Sequence, residues 1–275
     1  MKEVSTVLEQ ISADNSFDNF IHYAELDRWS READIPLTEW QVLIDEWPYD
    51  PAAFMAKHAR GNCADFAAYT VRELGSCGIV AYVAGVISDN HYSTTQQTFT
   101  GYNHSLVLGE HDGERFLCEP GWNTPWPAPI ATKAPTKIDN RIFHTAEINE
   151  RFLRQHYYTS YGGQGERTID LEPLEPDEQA DLIKNNMRIP NRNRNMTLIP
   201  SLHNDPEQYW IISDRESGLL KTSSPDLNLP EHFHPSQLSE RANRKLSGVY
   251  GFDVKEELLA CYAIRKAMPA DFWVK

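Results

Sequence analysis

An α+β fold is what the sequence predicts, and three observations predict it. Apolar residues recur at helical spacing from Val4 to Leu74. The middle of the chain carries a nearly all-apolar run, Ile79 to Ile87, and then two runs joined at Asp112-Gly113. Helical spacing returns between Leu238 and Ala267.

Val4, Leu8 and Ile11 predict the first helix, and Ser12 to Ser16 reads as a loop. Phe17, Phe20, Ile21, Ala24 and Leu26 continue a mostly helical pattern until Ile35-Pro36-Leu37-Thr38 breaks it. Thr38-Glu39-Trp40-Gln41 has the form of a capping box, with Val42, Leu43 and Ile44 behind it. Trp47-Pro48-Tyr49-Asp50-Pro51 is a second break. From Cys63 onward, Phe66, Ala67, Thr70, Val71 and Leu74 share one helical face. Gly75 and Gly78 end that helix.

Ile79 to Ile87 is rich in β-formers and reads as a central strand. Ser88 to Gly101 is polar and reads as a mobile loop. Tyr102 to Gly109 and Glu114 to Glu119 form a hairpin across Glu110-His111-Asp112-Gly113. Pro120 to Pro135 holds too many prolines to be regular throughout. Ile142, Phe143 and Phe152 to Tyr158 supply more strand or helix. Gly162-Gly163-Gln164-Gly165 is a turn; it lacks the strand-then-helix setting of a phosphate loop, so no nucleotide role follows. Glu172 to Ile189 predicts a short helix, and Gln208 to Ile212 with Gly218 to Lys221 a hairpin. The helix from Leu238 to Ala267 is interrupted near Gly248 to Phe252.

A chain of 275 residues buries a core unaided, as one large domain or a few lobes. Forty acidic side chains against 26 basic ones give a formal charge of −14, and no Lys/Arg cluster offers a phosphate backbone a partner. A nucleic-acid role is therefore excluded. No Cys/His group among the four cysteines has zinc spacing, so no metal site is expected. Free thiols, no signal-peptide core and no membrane-length apolar run point to the cytoplasm.

One cysteine stands apart. Cys63 follows the flexible Arg60-Gly61-Asn62 and opens a helix, where free N–H groups and the dipole favour a thiolate. His104 follows on a strand and Glu119 on the next. Cys, His and acid in that order is the layout of a papain-like thiol triad. The hairpin tests it. With Asp112-Gly113 as the two-residue turn, Glu119 faces Leu106 and His104 lies diagonally beyond; with His111-Asp112, His104 faces Glu119 directly. Both registers put the two side chains on one face. Cys63 is then the nucleophile, His104 the base and Glu119 its orienter. The Cys63 N–H is one oxyanion donor, with Asn103 or Tyr102 as candidates for the second. Arg60, Asn103, Trp122 and Trp126 are the candidate substrate-binding residues. Cys77, Cys118 and Cys261 read as structural, His58 as a loop residue, and His232 and His234 as surface residues.

These residues resemble two related families. Gly61-Asn62-Cys63-Ala64-Asp65-Phe66-Ala67 and Gly78-Ile79-Val80-Ala81-Tyr82-Val83-Ala84-Gly85, with His104 and Glu119-Pro120, are similar to the core of the transglutaminase-like superfamily. Glu replaces the usual Asp, and Ala81 stands where a basic residue is frequent. Arg60-Gly61 ahead of the nucleophile, the His-to-acid spacing and the length resemble arylamine N-acetyltransferases, with one residue missing before Cys63. The resemblance implies an N-terminal helical lobe (1–78) carrying the nucleophile helix. A β-rich lobe (79–200), an antiparallel sheet or barrel, and a C-terminal α/β lid (201–275) follow. It also implies ping-pong acyl transfer that forms an amide.

The expected donor is a thioester on coenzyme A or an acyl carrier protein, or a glutamine carboxamide. The acceptor is an amine, in a setting such as natural-product biosynthesis. No cofactor is expected beyond the thioester substrate, and no nucleic-acid or membrane partner. An acidic carrier needs a basic patch, for which Lys133, Lys137, Arg141, Arg151 and Arg154 are the candidates. The alternative is a cysteine hydrolase or peptidase in which water replaces the amine.

Overall fold

In chain order the computed structural model contains α1 (Lys2–Asp14), β1 (Ser16–Asp18), α2 (Ile21–Ala33), α3 (Trp40–Glu46), α4 (Pro51–His58), β2 (Arg60–Gly61) and α5 (Cys63–Ser76). Then follow β3 (Val80–Ser88), β4 (His104–His111), β5 (Glu114–Glu119), β6 (Thr124–Pro129), β7 (Thr136–Ile138), β8 (Arg141–Glu147), β9 (Phe152–Tyr158), β10 (Gln164–Pro173) and α6 (Pro176–Arg188). The chain ends with β11 (Thr197–Ile199), β12 (Ile211–Ser213), β13 (Leu220–Thr222), α7 (Glu240–Tyr250) and α8 (Val254–Ala267). The structure describes residues 1–88, 102, 104–122, 124–130, 136–138, 141–147, 150–158, 164–188, 197–200, 209–213, 219–222 and 224–267. The expected loop after Ser88, the residues Gly162-Gly163, and Gln208 and Gly218 of the last predicted hairpin lie outside them. Two compact units divide the chain.

The first unit comprises Met1–Ser12, Asp50–His58 and Cys63–Ile183. Its centre is an eight-stranded sheet in the order β6-β5-β4-β3-β10-β9-β8-β7. Each pairing in it is antiparallel. The edge strands β6 and β7 approach each other without pairing, so the sheet is curled. Side-chain alternation gives it two apolar faces. Val83, Val107, Phe116 and Cys118 pack with Val4 and Leu8 of α1 and Ala67 and Leu74 of α5. Ala84, Val86, Leu106, Leu108, Leu117, Leu153 and Ile169 pack together on the other face. The hairpin register is Val107↔Cys118 through His111↔Glu114, which makes Asp112-Gly113 the turn. Both turn residues have positive φ, 55° and 76°, as a type I′ turn demands.

The second unit comprises Ala13–Tyr49, Ala59–Asn62 and Lys184–Lys275. Its five-stranded sheet runs β13-β12-β11-β1-β2, and α2 packs against α8. Among the described residues no helix is long and apolar enough to cross a membrane.

Several local expectations change. Ser12–Ser16 is not all loop: α1 runs to Asp14, and Ser16 opens a buried strand. Phe17 is in that strand, paired with Gly61 and Ile199, because Asp18 Oδ1 accepts from the Phe20 and Ile21 N–H groups at 2.7 and 3.1 Å and starts α2 only afterwards. Thr38 makes no capping box: it sits inside a tight turn after Pro36, and α3 begins at Trp40 with no side-chain cap. Helix α4 was unforeseen, although Asp50-Pro51 carries its signal, Pro at the first turn and an Asp side chain accepting from Ala53 N at 2.9 Å. Strands β6 and β10 were also unforeseen. The prolines of β6 are tolerated because it is an edge.

Candidate active site

Cys63 is the first residue of α5; it forms no disulfide and is partly exposed. Its backbone N–H belongs to the first helical turn, at the positive end of the helix dipole. It shares a small pocket with Phe66, Ala67, His104, Leu106, Glu119 and Pro120. Ser105, Cys118 and Gly121 complete the lining. His104 opens β4 and pairs with Val86 of β3, while Glu119 ends β5 opposite Thr124 of β6. Extending the observed hairpin register sets Glu119 beside Leu106 with His104 one diagonal on, the first of the two predicted alternatives.

The diagonal is closed by a hydrogen bond between His104 Nε2 and Glu119 Oε1. That leaves Nδ1 for the sulfur of Cys63, a hydrogen-bond and charge partner of the ring. Burial pulls the imidazole down, but Cys63 and Glu119 outweigh it and push His104 up to about 9. Burial alone would raise Glu119. The Arg167 charge and the His104 bond instead hold its carboxyl well below the usual carboxylate range. Such a set can keep a thiolate beside an imidazolium in a half-dry pocket.

Two residues of this cluster escaped the sequence reading. Arg167 on β10 donates from Nη1 to Glu119 Oε1 at 2.8 Å and from Nη2 to Oε2 at 2.5 Å. Its Nε donates to Gln155 Oε1 on β9 at 2.6 Å. Both are buried, Gln155 fully. Alternation carried the signal. Arg167 falls on the same strand face as buried Ile169, and a cation there needs a carboxylate opposite.

The other candidates lie elsewhere. Arg60 is 7% exposed in the second unit. It bonds Asp18 Oδ2 at 3.2 Å and Glu257 Oε2 at 2.5 Å and lies 3.4 Å above the Phe252 ring, so its guanidinium is committed to packing there. Tyr102 gives its hydroxyl to Asp170 at 2.6 Å, which leaves it no proton for an oxyanion. Asn103 lies outside the described residues. Trp122 follows Glu119 in a tight turn and Trp126 is in β6; their side chains are outside the description as well. Cys118 and Cys261 are buried and Cys77 is exposed. Among the described residues no three His, Cys, Asp or Glu side chains converge as a metal requires.

No protein-family model and no curated protein matches the chain. Solved structures do. An arylamine N-acetyltransferase from Salmonella typhimurium aligns with a TM-score of 0.60 at 13% identity, over 97% of this chain and 92% of that one. A Bacillus cereus arylamine N-acetyltransferase described by its Cys-His-Glu catalytic triad aligns at 0.55 and 11%, over 92% of each chain. The Mycobacterium marinum enzyme in complex with CoA aligns at 0.54 and 12%, over 81% of this chain and 84% of that one. At such identities the likeness is one of architecture, and this chain has the α+β fold seen in the arylamine N-acetyltransferase structures.

Proposed function

We propose that the protein is a thiol acyltransferase that carries an acyl group on Cys63 and delivers it to an amine. One observation carries the reading: His104, bonded through Nε2 to Glu119, meets Cys63 at a helix N-terminus in a single pocket. In the first half-reaction the Cys63 thiolate attacks the donor carbonyl. The Cys63 N–H donates a hydrogen bond to the oxyanion. The thiol of the donor leaves with the proton from His104, and a thioester remains on Cys63. In the second half-reaction the amine attacks that thioester. His104 removes the amine proton and Cys63 leaves as a thiolate. Glu119 supports the imidazolium throughout.

The donor is proposed to be a CoA thioester, since CoA is the ligand of the Mycobacterium marinum enzyme with this fold. A carrier protein is the less favoured donor. Of the basic residues suited to dock one, Arg151 is already bonded to Asp170 and Glu172, and Arg154 to Glu166. Lys133 is outside the described residues, as are the side chains of Lys137 and Arg141. The product in this reading is a small-molecule amide, as natural-product biosynthesis makes.

Intact-mass measurement after incubation with a panel of acyl-CoA thioesters tests the proposal. An adduct that disappears in Cys63→Ala is expected. Added amine should then discharge it faster than water does. Discharge by water alone would identify a hydrolase, and no adduct from any thioester would overturn the transferase reading.

A further inference from the structure

A carboxylate on a glutamate stem has one more rotatable bond than one on an aspartate. Left alone at the end of β5, the Glu119 head can swing off His104. Its environment also favours a proton, because the carboxyl is buried in the pocket it shares with Leu106. Both problems meet one side chain. Arg167 on β10 takes a two-pronged grip on both carboxylate oxygens. The grip is itself fixed, since Gln155 accepts the third N–H of the same guanidinium plane.

We infer that Arg167 is a fourth, positioning member of this site, clamping Glu119 in the one orientation from which it bonds His104. The inference rests on the acyl-transfer reading. In this reading Arg167 acts through Glu119, the carboxylate that its guanidinium grips. Among the described residues, the titratable groups around Glu119 are His104 on β4, Cys118 beside it on β5, Arg167 on β10, and Cys63 at the start of α5. The tight turn Pro120–Trp122 and strand β6 add none.

Remove the guanidinium and the buried carboxylate loses its counter-charge. It then takes up a proton in the mildly acidic range, His104 loses its support, and the Cys63 thiolate forms only at higher pH. The test is the pH profile of Cys63 alkylation by iodoacetamide in the full chain, with the modified peptide read by mass. Wild type is compared with Arg167→Gln and Arg167→Lys, and thermal melts confirm folding. In Arg167→Gln the rise in rate should move up by about one pH unit, with about tenfold slower reaction on the acidic side. Arg167→Lys restores the charge without the fork and should fall between. A folded Arg167→Gln with the wild-type profile overturns the clamp. If Arg167→Gln does not fold, a wild-type profile in Arg167→Lys overturns it. Wild-type Cys63 no more reactive than the exposed Cys77 overturns the acyl-transfer reading and the clamp together, whereas a reactive wild type beside an indifferent variant overturns the clamp alone.

Discussion

The Tyr102 ring lies across the backbone of Gly85, so near that a Cβ on Gly85 would sit 2.5 Å from its carbons. Gly85 pairs with Ser105, so the ring is seated just ahead of His104. The hydroxyl is tied down as well, donating to Asp170, whose other bonds come from Arg151 and the Glu172 N–H. Burial and the Asp170 charge together push the Tyr102 phenol up to about 12. Gly85→Ala should expel the ring and cost about 1–3 kcal/mol, with slower alkylation of Cys63 as β4 shifts. Tyr102→Phe keeps the ring and should cost about 0.5–1.5 kcal/mol. Denaturant melts measure both, and a Gly85→Ala protein as stable as wild type would show that this seat does not matter.

The four cysteines should separate cleanly under native alkylation. Cys77 is exposed and Cys63 partly so, while Cys118 and Cys261 are buried. Burial and then the Glu119 charge push the Cys118 thiol far above its ordinary range, although it lines the same pocket as Cys63. Two labels per folded chain are expected, on Cys63 and Cys77. The Cys63 label should form at mildly acidic pH, where Cys77 is slow. Mass mapping that finds Cys118 modified in the folded protein would contradict the packing described.

How much of this the sequence disclosed depended on range. Helix α5, the β4–β5 hairpin and its Asp112-Gly113 turn were legible because helical periodicity and turn chemistry are local. Cys63, His104 and Glu119 were legible because a helix start and one hairpin place all three. Arg167 was not, since its partner lies across the sheet and β3 pairs with β10 through a long chain excursion that no local pattern encodes. Phe17 failed for a similar reason. Its strand exists only because Gly61 and Ile199 come beside it, and tertiary pairing overrode a helical pattern. Arg60 was read from its nearness in sequence to Cys63, yet its guanidinium is taken up by Asp18, Glu257 and Phe252.

Thr70 offers a stability test on the helix that presents Cys63. Its side chain is fully buried, and the hydroxyl finds no hydrogen-bond partner among the described residues. A buried hydroxyl without a partner loses its hydration and gains nothing in return. Thr70→Val keeps the shape and removes the polar atom, so it should stabilise the fold by about 1 kcal/mol. Chemical denaturation would detect that gain, and Cys63 alkylation should not change. A destabilised Thr70→Val protein would mean that the hydroxyl does have a partner.

Alkaline pH should weaken the protein for two reasons that a single substitution separates. His104 is held up to about 9 from an ordinary 6.5, with burial opposing and Cys63 and Glu119 prevailing. A group raised on folding stabilises fully below its unfolded value, and that stabilisation is lost as pH climbs through the folded value. The His104 contribution therefore fades between about 6.5 and 9. Glu257 has the same sign over a wider window. Burial first and the Asp18 charge second raise it from 4.5 to about 9, against the pull of Arg60, because one guanidinium cannot neutralise two buried carboxylates. Its contribution is complete below about 4.5 and declines all the way to about 9. Glu257→Gln keeps a neutral side chain of the same shape at every pH. Its melting temperature should match wild type at the acidic end and exceed it increasingly toward pH 9, leaving only the His104 part of the slope. Parallel curves for the two proteins across that range would mean that Glu257 is ionised in the fold and that Arg60 satisfies both acids.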